Sequence, residues 1–324
     1  MPSGQTSLEF VGIGDPGNAA DTKVMSDGTT GYGAVSYSYQ LGKFDVTAAQ
    51  YSQFLNAVAK SDPNGLYDTN MANGFLGPCG IVRSGSSGGY TYSVLSGHQN
   101  LPVNFVSWGD AARFVNWLTN GQPATGVEDS ATTEMGSYSL SGATSDAQLI
   151  AVARSAAAKY VIPTEDEWYK AAYYKGGSAN AGYWLYPTRS NTAPSNILSA
   201  SGTDSANYFS SAYTDPTNYI TAVGAFAGSP GPYGTFDQGG DVWQWNEANI
   251  DGSHRGVRGG SFSNYLNGAT YLQSSSRNIL DDPSVSGSNL GFRIAEVPEP
   301  ASISVLALGI AALVRRRRSS SRVN

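Results

Sequence analysis

Only two stretches of this chain repeat apolar residues at helical spacing over about three turns, and that scarcity limits what it can fold into. Thr47-Ala-Ala-Gln-Tyr-Ser-Gln-Phe-Leu-Asn-Ala-Val58 opens on a threonine N-cap and sets Tyr51, Phe54, Leu55 and Val58 on one face. Ser107 to Leu118 repeats the design with Trp108, Ala111, Phe114, Val115 and Leu118. A third, shorter helix is predicted from Thr164-Glu-Asp-Glu167, a capping box, through Trp168, Ala171 and Ala172. Its three acidic residues are explained by capping and the helix dipole. The remainder is cut into brief runs by 39 Gly and 15 Pro. We read it as α+β with long loops, since no alternation of strand and helix supports a parallel βα fold. A lead-in segment over 1–34, one domain over 35–296 and a tail over 297–324 describe the organisation, the folded body starting near residue 8. Gly12-Ile-Gly-Asp-Pro-Gly17 matches a dinucleotide fingerprint, but Pro16 and Asn18-Ala-Ala-Asp-Thr22 open no helix. We read it as a turn.

Charge and thiol content remove whole classes of chemistry. One cysteine, Cys79, excludes an intramolecular disulfide and any two-thiol centre within the chain. His98 and His254 lie far apart and form no metal motif. Five of the 19 basic residues, Arg315 to Arg318 and Arg322, sit in the last ten positions. The body up to residue 297 therefore holds 14 basic against 24 acidic residues, or 14 − 24 = −10. That balance argues against nucleic acid, because phosphate binding needs a cationic face.

The two ends differ. Val297-Pro-Glu-Pro-Ala301 precedes the apolar run Ile303–Val314 and then four arginines. A run of 12 residues falls short of the roughly 20 that span a bilayer, yet such a run with a cationic stop fits a transient halt at the cytoplasmic face. The pattern resembles the PEP-CTERM sorting signal of Gram-negative bacteria. That resemblance implies export, an exosortase-type membrane protease as partner, transient membrane contact through the tail, and release to the cell surface or matrix. Met1 to Ala20 has no basic residue and no apolar core, so it does not read as a signal peptide, and a start upstream of Met1 is expected.

Six further segments occur in one order: Gly42-Lys-Phe-Asp-Val-Thr-Ala-Ala-Gln-Tyr51, Leu101-Pro-Val-Asn-Phe-Val-Ser-Trp-Gly-Asp-Ala111, Ile162-Pro-Thr-Glu-Asp-Glu-Trp-Tyr-Lys-Ala-Ala172, Tyr233-Gly-Thr-Phe-Asp-Gln-Gly-Gly-Asp-Val-Trp-Gln-Trp245, Arg258-Gly-Gly-Ser-Phe262 and Ser288-Asn-Leu-Gly-Phe-Arg293. Together they resemble the sulfatase-modifying-factor family, best known for formylglycine-generating enzymes. The resemblance implies a compact, loop-rich α+β fold related to C-type lectin-like folds, with structural calcium. In one calcium loop it places Asp237 and Gln244 as side-chain ligands and Gly240 and Val242 as carbonyl ligands. In a second, looser match it places Asn207 and Asp215. The family usually has Asn at Asp237 and Glu at Gln244. The chemistry required is a set of six to eight oxygens.

The same resemblance raises the question of catalysis. Family oxidases hold copper with two cysteines and oxidise a substrate cysteine. Their positions fall here on Asn264 and Ala269, neither of which offers the soft sulfur that Cu(I) requires, so copper is not expected. Trp243, Ser261 and Asn289 match residues that line the family's pocket, though each also reads as a core aromatic, a turn hydroxyl and a turn former. Cys79 lies in Gly77-Pro-Cys-Gly80, outside any such motif. Three readings stay open: an exported, non-catalytic surface or matrix protein that binds polysaccharide; a formylglycine-generating or related oxidase acting on a sulfatase cysteine; and a purely structural matrix component.

Overall fold

The computed structural model describes residues 5–265 and 268–298. The sorting tail beyond Pro298 lies outside the described residues. All three expected helices form where their caps place them. Helix α1 (Ala48–Val58) starts at Thr47, whose hydroxyl accepts from the Gln50 amide while the Gln50 side chain accepts from the Thr47 amide. After the single turn α2 (Asn70–Asn73) comes α3 (Trp108–Thr119), capped by Ser107 and Asp110 in the same reciprocal way. Short α4 (Asp146–Ala151), α5 (Glu165–Tyr173) and α6 (Gly268–Tyr271) complete the helices. Glu167 closes the capping box of α5 on Thr164. Helices α1 and α3 cross face to face, with Phe54 meeting Phe114 and Trp117 at ring-centroid distances of 5.3 Å each.

Strands are short because the chain is punctuated so often. Strands β1 (Phe10–Ile13), β2 (Tyr39–Gly42), β3 (Ile81–Ser84), β4 (Thr91–Val94), β5 (Tyr160–Val161), β6 (Tyr174–Gly176) and β7 (Gly182–Tyr183) precede β8 (Trp243–Asn249). Strands β9 (Arg255–Arg258), β10 (Asn278–Asp281), β11 (Leu290–Gly291) and β12 (Ala295–Glu296) follow. One four-stranded antiparallel sheet runs β1-β2-β12-β5, joining the two ends of the domain through Ala295 opposite Leu41 and Val161. The other runs β10-β9-β8-β11, with β11 parallel to β8 through Leu290 opposite Trp243. The lead-in segment is woven into the body rather than preceding it. Residues 10–13 form β1, Lys170 Nζ donates to the Asp15 carbonyl at 2.8 Å, and the Gly33 amide donates to Asp166 at 2.8 Å. The Gly12–Gly17 motif is the end of β1 and a turn, and no helix follows before α1.

With so little regular structure, buried arginines replace much of the missing backbone ladder. Arg258 Nε donates to Glu165 at 2.8 Å, and its Nη1 donates to the Ser274 and Ser276 carbonyls at 3.0 and 2.7 Å. Arg154 bridges Glu167 at 3.0 Å and Glu247 at 2.9 Å. The acidic start of α5 is thus an ion-pair platform as well as a cap. Burial pushes the Glu167 carboxyl up, but Arg154 and its hydrogen bonds outweigh this and hold it below the ordinary range. A group so depressed stabilises the fold above the ordinary glutamate pKa of about 4.3, and that contribution is lost as pH falls through its folded value. Arg154→Met leaves two buried carboxylates unpaired and should lower the unfolding free energy by about 3 kcal/mol in a neutral urea titration. The deficit should shrink near pH 4, where both carboxyls of the variant take up protons; an equal deficit at both pH values would exclude this role.

Candidate functional site

The loop leaving β9 carries the positions at which the resemblance places thiols. Gly259 turns it with φ +107°, and a Cβ there would stand 2.8 Å from the Gln238 carbonyl. Glycine is the residue that tolerates both constraints. Ser261 is buried, and its amide and hydroxyl donate to Asn264 Oδ1 at 2.7 and 3.0 Å. Asn264 therefore acts as an internal acceptor that closes this turn. Ala269 packs beside the apolar cluster of Tyr186, Ala206, Tyr208 and Leu272. Sulfur is absent from both positions, and Cys79 cannot substitute. Its side chain is 0% exposed, and burial pushes its thiol up to about 11, leaving little thiolate near neutral pH.

The three expected pocket residues lie on segments stitched to the start of β8. The Trp243 amide donates to the Asn289 carbonyl at 2.7 Å, and the Phe262 amide donates to the Asp241 carbonyl at 2.9 Å. Trp243 is buried, its ring edge-on to Tyr271 at 5.9 Å. Beside this lies an aromatic face that composition alone did not locate. Phe209 packs at 5.1 Å against both Tyr213 and Tyr265, whose hydroxyls hydrogen-bond each other. Tyr265 is 53% exposed.

A second feature, invisible in the sequence, is a polar cleft of about 370 Å³ at the N-terminal end of α3. Its lining includes Tyr67, Asp68, Phe105, Asp110, Arg113 and Ser286. Arg113 Nε pairs with Glu134 at 2.7 Å at the buried end. Burial raises Asp110 to about 6, against the hydrogen bonds from Ser107. The loop after β10 forms the cleft's other side, held by the Trp108 amide on the Pro283 carbonyl at 3.1 Å and the Phe105 amide on the Gly287 carbonyl at 2.9 Å. That loop leads directly into Asn289.

The two expected calcium loops meet each other. The Asp241 amide donates to the Asn207 carbonyl at 2.8 Å, and Asn207 bridges to Gly240. Gly240 has φ +86°, and a Cβ there would fall 2.0 Å from the Asn207 carbonyl oxygen. Gln244 departs from its expected role as a side-chain ligand. Its Oε1 accepts from Trp168 Nε1 at 2.6 Å and from Arg293 Nε at 2.7 Å, and those two donors fix the amide's orientation. Its Nε2 consequently donates to the Asp237 carbonyl at 2.7 Å, presenting hydrogens where a metal would require oxygen. Asp215 departs as well, because both its oxygens serve its own turn at Thr217 and Asn218.

The residues that remain fit a cation better. Asn207 Nδ2 is committed to the Tyr219 carbonyl and to Asp241, which leaves its buried Oδ1 without a donor. Burial raises the carboxyls of Asp45, Asp237 and Asp241; neighbouring carboxylates add to the rise at Asp45 and Asp241, and the Arg293 guanidinium opposes it at Asp45 and Asp237. The carboxylates are not grouped so as to hold an ion by themselves, and the orphaned Asn207 Oδ1 is the free buried oxygen here, a donor of the kind a hard divalent ion takes.

A family model, the sulfatase-modifying factor enzyme 1-like domain, matches residues 23–297. The PEP-CTERM protein-sorting motif matches residues 296–318. In structure the chain is similar to CarF, with a TM-score of 0.53 at 18% identity over 90% of this chain and 99% of that one. It is also similar to Treponema denticola variable protein 1, with a TM-score of 0.51 at 20% identity over 92% and 98% of the two chains. At these identities the likeness is one of fold. No curated protein matches the chain in sequence. Asn264→Ala should remove about 1–3 kcal/mol of stability by stranding the buried Ser261 donors, while Asn264→Asp, which keeps the acceptor, should cost less. Urea titrations of the two variants check this, and equal losses would show that the acceptor is not what matters.

Proposed function

Because the chain belongs to the sulfatase-modifying factor enzyme 1-like family, and its two thiol positions hold Asn264 and Ala269, we propose that it is a non-catalytic member that binds polysaccharide at the cell surface or in the matrix. Its PEP-CTERM motif marks it for export and for processing by an exosortase-type system in Gram-negative bacteria. The observation that carries the reading is the bonding of Asn264. Its oxygen serves the Ser261 amide and hydroxyl, so the position is built into the loop as structure. With no sulfur at either position, copper is not expected.

Binding would fall to the aromatic face that includes Tyr265, next to Asn264, and to the cleft at the N-terminal end of α3. Tyr213, Tyr265 and Phe209 present ring faces on which sugar rings stack. The cleft lined by Asp68, Asp110, Arg113 and Ser286 supplies donors and acceptors for hydroxyl groups. Stacking surface and hydrogen-bonding cleft are the two ingredients that a neutral or weakly charged polysaccharide needs. Calcium in this account is structural: Asn207 Oδ1, Asp237 and the carbonyls of Gly240 and Val242 would hold it, supplying positive charge to the carboxylate cluster and tying the two loops together.

Retention of the purified, tail-less domain on secreted polysaccharide of a Gram-negative matrix tests the binding. Tyr265→Ala with Tyr213→Ala should weaken retention about tenfold at unchanged fold, as loss of central aromatic contacts does. Retention that is absent in the wild type, or indifferent to both tyrosines, would reject the binding surface. Millimolar calcium should raise the melting temperature of the wild type and leave that of Asn207→Leu unchanged. A calcium response that survives Asn207→Leu would remove Asn207 from the ligand set.

A further inference from the structure

The sorting motif does not begin outside the folded domain. Its match starts at residue 296, and Glu296 belongs to β12, in the middle of the first sheet. Glu296 is held by Gln40 Nε2 at 3.3 Å and by Lys159 Nζ at 3.6 Å, and the Val297 amide donates to the Lys159 carbonyl at 2.9 Å. The last sheet hydrogen bond is thus one residue ahead of Pro298-Glu-Pro300. Even fully extended, three residues reach only about 11 Å. The motif match continues to residue 318, and the triplet is the part of it next to the described domain. A protein that reads the Pro-Glu-Pro triplet works within about 11 Å of the domain surface around β12.

That surface has a defined shape. At the end of the sheet where β12 leaves, a cleft of about 770 Å³ is lined by Gly12, Gly14, Gln40, Lys159, Glu296 and Pro298, among others. Gly12 and Gly14 leave its floor bare, since a Cβ built on either meets nothing within 4 Å. The Lys159–Glu296 pair on its rim is long, at 3.6 Å, and partly exposed, at 47% and 24%, and so contributes little to stability. Its charges can be exchanged for contacts with a partner at small cost. The glycines of the false dinucleotide fingerprint find their structural place here, keeping side chains out of a cleft beside the sorting motif.

We infer that this cleft is a docking surface for the membrane protease that reads the PEP-CTERM motif, so that sorting recognises the folded domain together with the tail. A recognition surface on the folded body would couple tail removal to completed folding, because β12 pairs with β2 and β5 and closes the sheet that forms the cleft. This inference depends on the sorting motif and is independent of what the mature domain binds.

The test uses the full-length chain in a Gram-negative host that carries an exosortase-type system. Gly14→Phe and Gly12→Tyr fill the cleft, Lys159→Glu reverses the charge on its rim, and tail removal is followed by pulse labelling and gel mobility. Melting temperatures of the same purified chains report folding. Tail removal slowed about tenfold in the filled variants at unchanged melting temperature is the expected result, equivalent to about 1.4 kcal/mol of lost docking. Lys159→Glu, which alters only the surface, should slow it as well. Wild-type processing in all three chains would overturn the proposal, and so would slowing that appears only in step with a lowered melting temperature.

Discussion

Buried guanidinium groups organise this molecule. A chain whose strands are mostly four residues or fewer leaves many backbone carbonyls outside any ladder, and buried carbonyls must find donors. Arg293, with a side chain 0% exposed, shows how the need is met. It donates to the Gly42 and Phe236 carbonyls at 2.8 Å each, to Gln244 at 2.7 Å and to Asp45 at 3.2 Å. One side chain near the end of the domain thereby fixes the turn after β2, the loop before β8 and the start of β8 itself. Arg255 performs the equivalent task at the end of α4, donating to the carbonyls of Leu149 and Val152 while its guanidinium lies 4.0 Å from the Trp108 ring centroid. Helix packing supplies apolar burial on one side of the domain. Charge-assisted hydrogen bonds supply order on the other.

This construction explains how the region around Ser261 keeps its form without a thiol pair or a disulfide. The loop is pinned from below by the Phe262 amide on Asp241 and from within by Asn264 on Ser261. Asp241 is itself fixed by the Thr221 amide and hydroxyl at 2.7 Å each. The scaffold is therefore complete with an amide at position 264. The local hydrogen-bonding demand of this loop is met without sulfur. The aromatic face and the polar cleft then remain as the chemically distinctive features.

Much of this was legible in the sequence because local rules dominate at particular residues. Thr47, Ser107 and Thr164 announced three helices, since a cap acts within four residues of chain. The assignment of Asn264 and Ala269 to thiol positions comes from the ordered set of motifs, which fixes what the resemblance expects at each position. What escaped was non-local. Nothing near Gln244 in the sequence reveals that Trp168 and Arg293 occupy its oxygen, for they lie 76 and 49 residues away. Asp215 was placed as a ligand by the looser of the two loop matches, and nothing in that match announces that both its oxygens accept from Thr217 and Asn218. The acidic run at Glu165–Glu167 read as capping, and Arg154, Arg258 and Arg277 made it a platform for ion pairs. The cleft beside α3 assembles residues from four separated segments, which no window along the chain could join.

The central claim is that this family scaffold operates without the sulfur pair that would seat a redox copper. A titration with Cu(I) against a competing chelator, followed by oxygen uptake in the presence of a cysteine-containing sulfatase peptide, addresses it most directly. The account predicts no tight copper binding and no uptake above that of free copper. Stoichiometric, high-affinity copper accompanied by oxidation of the peptide thiol would contradict it.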